Sequence, residues 1–148
     1  MGNPQIISNT ITLQAPASKV WAILTEPSWV KKYMYDSDLV TDWVVGNPVL
    51  FKGVYEGQEM VFVKGYLKEI VPEKKLVYTV FDPNATYTDE PWNYLTVTYT
   101  LKEENGATTL TIEQGDYAKV ENGENRYNDA VGAGGWSGIL DQIKQLIG

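Results

Sequence analysis

Neither histidine nor cysteine occurs in this sequence. Their absence removes disulfides, thiol nucleophiles, nitrogen–sulfur zinc sites and Ser-His-Asp triads. Any acid–base chemistry falls to Asp, Glu, Lys or Tyr. That restriction favours a binding protein over an enzyme, and no residue stands out as catalytic, as a metal ligand or as a cofactor anchor. No apolar run approaches the roughly 18 residues of a membrane-spanning helix. The N-terminus shows no basic stretch followed by an apolar core, which predicts no signal peptide and a cytoplasmic location. Ile6 stands where a myristoylation signal needs Ser or Thr. Positive charge is scarce as well: 12 Lys and Arg face 19 Asp and Glu, for a net charge of −7. This argues against nucleic acid and anionic membranes as partners.

What is abundant is aromatic. Five Trp, ten Tyr and three Phe in 148 residues are enough to fill a core or to line a cavity. The length suits one domain over 1–148.

Residues 5–13 alternate, with Ile7, Asn9, Ile11 and Leu13 on one face of a strand. Pro16 and Ser18 suit a helix entry, and Val20, Trp21, Ile23 and Leu24 form an apolar stripe. Pro27 ends that helix, and Ser28 is placed as the N-cap of a second, short one carrying Trp29, Val30, Tyr33 and Met34. Such a helix pair directly after a strand is placed to plug one end of a sheet. Strands are predicted over 41–45, 49–54, 60–71, 76–81, 94–102 and 108–114, with turn signals at Gly46-Asn47-Pro48, Glu56-Gly57 and Asn105-Gly106. Gly65, inside the longest strand, signals a bulge, a bend or a close backbone approach. A bulge there would decide which side of that strand faces inward. The loop over 82–93 carries two prolines and Trp92, and loops of that length are uncommon unless functional or mobile.

The last segment, 125–147, is of two kinds. Trp136, Ile139, Leu140, Ile143, Leu146 and Ile147 recur at helical spacing. Gly132, Gly134, Gly135 and Gly138 each cost roughly 1 kcal/mol in a helix interior. Gly132-Ala133-Gly134-Gly135-Trp136-Ser137 lacks the last glycine of a dinucleotide fingerprint, the Lys of a phosphate loop and the Gly-x-Ser-x-Gly elbow. A loop, a close backbone approach and room for a guest remain as explanations.

Strand, two short helices, about six antiparallel strands and one long helix make an α+β chain. The order resembles the helix-grip superfamily (START-like, Bet v 1-like), and more narrowly the proteins similar to the activator of Hsp90 ATPase. The resemblance is carried by Ala15-Pro16 with Val20-Trp21 and Leu24-Thr25, Gly65 and Leu67 before Pro72, Leu76-Val77-Tyr78, Thr109-Leu110-Thr111, and Gly135-Trp136 with Leu140 and Lys144. It implies a curved sheet of six to seven strands wrapped around a long C-terminal helix that runs through the glycines. It also implies a cavity between helix and sheet for a small apolar ligand such as a lipid or a polycyclic molecule. Phe51, Phe62, Tyr78, Val97, Tyr99, Ile112, Tyr127, Val131, Gly135 and Trp136 are the expected lining, or else a dry core.

Asn9, Gln114 and Tyr99 are polar members of the inward rows. A buried polar group without a partner costs about 1–3 kcal/mol. Asn9 and Gln114 therefore bond each other, water or a ligand. Glu113, Asp116, Glu121 and Asp129 are the nearby carboxylates, and nothing in their spacing pairs them. Three functions stay open: binding of a small hydrophobic molecule, a cyclase- or hydrolase-type enzyme using a Tyr or carboxylate, and an interaction module for a chaperone ATPase, with Trp92 on its surface.

Overall fold

The computed structural model describes residues 4–34 and 36–147. Seven strands form one antiparallel, curved sheet in the order β1-β7-β6-β5-β4-β3-β2. They are β1 (Ile7–Leu13), β2 (Asp38–Val40), β3 (Pro48–Tyr55), β4 (Gln58–Val71), β5 (Lys75–Val80), β6 (Leu95–Glu104) and β7 (Ala107–Gly115). Helices α1 (Ala17–Thr25) and α2 (Pro27–Tyr33) follow β1, and α3 (Gly123–Gly132) and α4 (Ser137–Ile147) close the chain. This is the α+β helix-grip arrangement that the order of elements implies.

Alternation places the core. Leu95, Val97, Tyr99 and Leu101 are buried on β6, and Leu110 and Ile112 on β7. Ile139, Leu140 and Ile143 of α4 pack into the same core with Val20, Ile23 and Leu24 of α1. Pro16 precedes α1 without a capping side chain of its own. Glu103, arriving from β6, accepts the Ala17 N–H at 2.6 Å instead.

The strand expected over 41–45 is not there; the edge strand is Asp38–Val40, paired with Leu50–Lys52 of β3. Short polar side chains explain the shift. Thr41 Oγ1 accepts the Trp43 N–H, Asp42 Oδ1 accepts the Val44 N–H, and Trp43 takes a φ of 59°. These local bonds turn the chain away from a ladder.

β4 is distorted at two places, neither of them Gly65. The register slips opposite Phe51/Lys52, leaving Phe62 as the extra residue, and slips again between Leu67 and Glu69. Gly65 marks a close approach: a Cβ there would lie 1.6 Å from the Thr79 carbonyl oxygen.

The loop over 82–93 is tied down by Asn93, which is only 1% exposed. Its Nδ2 donates to the Thr88 carbonyl (2.9 Å) and to Glu121 Oε1 (3.2 Å), and its Oδ1 accepts the Glu121 N–H (2.7 Å). Asn93→Ala removes the partners of the Thr88 carbonyl and the Glu121 N–H, while the Glu121 carboxylate keeps its bond from the Thr88 N–H. A loss of about 2–4 kcal/mol is expected in urea denaturation. A loss below about 0.5 kcal/mol, the scale of an ordinary surface change, would show that the latch carries no weight.

Candidate functional site: a concave pocket beside a broken helix

The terminal helix does not run through its glycines. α3 ends in a Schellman motif: Gly135 N–H donates to Ala130 O (2.8 Å) and Gly134 N–H to Val131 O (3.0 Å). Gly134 has φ 90° and Gly135 φ 60°, the left-handed region that glycine enters at no cost. α4 then starts at Ser137. Only these two of the four glycines serve the break. A Cβ at Gly132 or Gly138 would meet nothing within 4 Å. Gly132→Ala and Gly138→Ala should therefore each raise stability by about 0.5–1 kcal/mol. A fall in melting temperature for either would show a contact that the geometry does not contain.

The polar members of the inward rows hold the break in place. Asn9 Oδ1 accepts the Trp136 backbone N–H at 2.9 Å, and its Nδ2 donates to the Gly134 carbonyl at 3.3 Å. Gln114 Oε1 accepts the Trp136 indole N–H at 3.0 Å. Asn9 and Gln114 thus bond the helix junction, not each other. The Trp136 ring meets Tyr99 edge-on, with centroids 6.1 Å apart. Trp136 packs against both the main core and a smaller cluster of Ile7, Leu95, Tyr117 and Val120.

In front of Trp136 lies a concave space of about 520 Å³. Its wall draws on Met34 and Ser37 after α2, Phe51, Val54 and Tyr55 of β3, Phe62 and Val63 of β4, Tyr78 and Val80 of β5, Val97 of β6, Gln114 of β7, and Trp136. Val54 and Tyr55 are well exposed, so the mouth lies at the β3–β4 hairpin. The slip at Phe62 turns both Phe62 and Val63 toward this space, which simple alternation forbids. A smaller space of about 180 Å³ lies beyond, sharing Met34, Gln114 and Trp136 and adding Gly135.

The candidate residues therefore separate. Phe51, Phe62, Tyr78, Val97, Gln114 and Trp136 line the larger space, and Gly135 the smaller. Tyr99 and Ile112 are buried behind the wall, and Asn9 is committed to the junction. Tyr127 meets Tyr117 edge-on outside the larger space. Val131 is 54% exposed on the outer side of α3 and lines neither space. Met34, Ser37, Val54, Tyr55, Val63 and Val80 were missed. Met34 carried a signal, since its helix was expected to plug the sheet end.

The chemistry of the wall is neutral. No Asp, Glu, Lys or Arg belongs to it among the described residues. The Tyr78 and Tyr99 hydroxyls bond each other at 2.7 Å. Burial pushes Tyr78 well above its ordinary value, and pushes Tyr99 up to about 12 against the opposing effect of the Tyr78 bond. Near neutral pH both are hydrogen-bonding hydroxyls and not bases. The carboxylates lie elsewhere. Asp116 accepts the Gln5 and Ala118 N–H groups, Glu121 serves the Asn93 latch, and Glu113 and Asp129 are exposed. Among the described residues no His/Cys/Asp/Glu group could hold a metal ion, and no helix is long and apolar enough to cross a membrane.

Comparison with solved structures agrees on the fold. A solution structure of ChR145 from Cytophaga hutchinsonii shares 26% identity, with a TM-score of 0.77 over 99% of this chain and 96% of that one. Protein CV1439 from Chromobacterium violaceum shares 22% (TM-score 0.72, covering 97% and 96%). DynU16, from the dynemicin biosynthetic locus, shares 16% (TM-score 0.72), and the match spans 97% of this chain but 47% of that one. No curated protein matches the sequence. The family model of the activator of Hsp90 ATPase homolog 1-like proteins matches residues 14–148, so the chain belongs to that family.

Proposed function

We propose that this protein binds a small, largely apolar molecule in the space between the sheet and Trp136. One observation carries the reading. Apolar and aromatic side chains from four strands, the end of α2 and the helix junction converge there, yet leave about 520 Å³ unfilled. That volume lies within the roughly 300–1,000 Å³ range of small-molecule sites. Members of this family commonly bind hydrophobic ligands, which supports the reading without naming a ligand.

Isothermal calorimetry with fluorene, a rigid apolar probe, tests it. Wild-type protein should bind with a single site per chain. Val63→Phe, which pushes a ring into the space, should weaken binding about tenfold or more while leaving the circular dichroism unchanged. Equal binding by a folded Val63→Phe variant would place the probe elsewhere.

A second reading has a narrower support. Trp92 is 56% exposed at the end of the loop that Asn93 ties down, and the family is named for action on a chaperone ATPase. Under that reading the protein raises the ATPase rate of the chaperone, and Trp92→Ala abolishes the rise. An unchanged ATPase rate with the wild-type protein would end it.

A further inference from the structure

Gln114 is held in one orientation. Its Oε1 accepts the Trp136 indole N–H, and an indole nitrogen can only donate. Turning the amide end for end would set donor against donor. The amide NH2 must therefore point away from Trp136, with two hydrogens to place. Among the described residues its only side-chain bond is the one to the indole. Yet no buried side-chain nitrogen or oxygen lacks a partner there, so this nitrogen is not sealed within the protein. Gln114 lines both the larger and the smaller space in front of Trp136. The free donor is thus available to whatever occupies them.

The rest of the wall sets what that occupant can be. Among the described residues neither space has a charged side chain in its wall. A carboxylate or sulfonate taken there would lose water and gain no counter-ion. The net charge of −7 repels such anions at longer range as well. An ammonium would bring further donors to a site whose free group is itself a donor. The rings of Phe51, Tyr78 and Trp136 belong to that wall, with Phe51 and Tyr78 6.0 Å apart between centroids.

We infer that the pocket selects an uncharged ring system bearing a hydrogen-bond acceptor, and that the Gln114 amide NH2 donates to that acceptor. The inference rests on the small-molecule reading above and adds the ligand's charge and its polar group. Calorimetry at pH 8 with fluorene, 9-fluorenone and dodecanoate tests it. The first two differ by one carbonyl, and the third is an anionic chain. Wild-type protein should bind 9-fluorenone about fivefold more tightly than fluorene, the worth of one net hydrogen bond. Dodecanoate should bind at least tenfold more weakly than 9-fluorenone. Gln114→Met removes the donor in an uncharged side chain of similar length, so the fluorenone-to-fluorene ratio should fall to about one.

If Gln114→Met does not fold, the infrared carbonyl band of 9-fluorenone on the wild-type protein decides. A band at lower wavenumber than in cyclohexane supports donation, and a band at the cyclohexane position overturns it. Equal wild-type affinity for the two ring compounds overturns the inference and leaves an apolar ligand standing, as does dodecanoate binding as tightly as 9-fluorenone. Binding of neither ring compound overturns both readings.

Discussion

Gly135→Ala should destabilise the protein by about 2–5 kcal/mol, more than one methyl group usually costs. Two penalties add. The backbone at Gly135 has φ 60°, where a Cβ costs roughly 1–2 kcal/mol. That Cβ would also lie 2.5 Å from Asn9 Oδ1 and 2.7 Å from Ile7 Cγ2. Asn9 Oδ1 is the acceptor of the Trp136 N–H, so relieving the clash breaks that bond, at about 1–3 kcal/mol for the group left unpaired. Gly134→Ala is the internal control. It shares the positive φ, but its Cβ meets only the Ser137 hydroxyl, which can rotate away. A loss of about 1–2 kcal/mol is expected there. Equal losses at the two positions in urea denaturation would mean that the contact with β1 contributes nothing.

Alkaline titration should separate the tyrosines into two populations. Tyr33, Tyr78 and Tyr99 are buried, and burial raises all three above the ordinary value near 10. The folded protein thus holds these hydroxyls neutral while the unfolded chain ionises them. Stability from this source is intact below pH 10 and is lost as pH rises from 10 toward each folded value. For Tyr99, pushed up to about 12, the loss between pH 10 and 12 is about 3 kcal/mol. Tyr33 and Tyr78 act in the same direction. Against a total stability on the order of 5–15 kcal/mol, this should produce cooperative unfolding in that window. Phenolate absorbance should show these three ionising only in step with the loss of near-ultraviolet circular dichroism. A smooth titration of all ten tyrosines near pH 10, with the dichroism intact, would contradict the burial of this cluster. Replacing Tyr78 and Tyr99 together with Phe should flatten the pH slope, because two of the hydroxyls held neutral by burial are gone.

The sequence alone determined the layer plan. Two-residue alternation in 94–102 and 108–114 placed Val97, Tyr99, Leu110 and Ile112 on the inward side, because a strand can bury one face only by that spacing. The spacing of Ile139, Leu140 and Ile143 likewise determined which side of α4 meets the core. Asn9 and Gln114 were legible as polar intruders in those rows, but not their partners. The partner is a helix junction more than 100 residues from Asn9, and sequence distance carries no trace of it. Glycine content showed that residues 132–138 were a poor helix; only tertiary packing decided that Gly134 and Gly135 break it while Gly132 and Gly138 stand idle. The cost of glycine is local and equal at all four positions, whereas its use depends on what a Cβ would strike. The same holds for Phe62 and Val63: a one-residue slip reverses sides, and nothing in a strand's own sequence states its partner's register. Space in front of Trp136 is likewise a property of several elements at once, decided where they fail to meet.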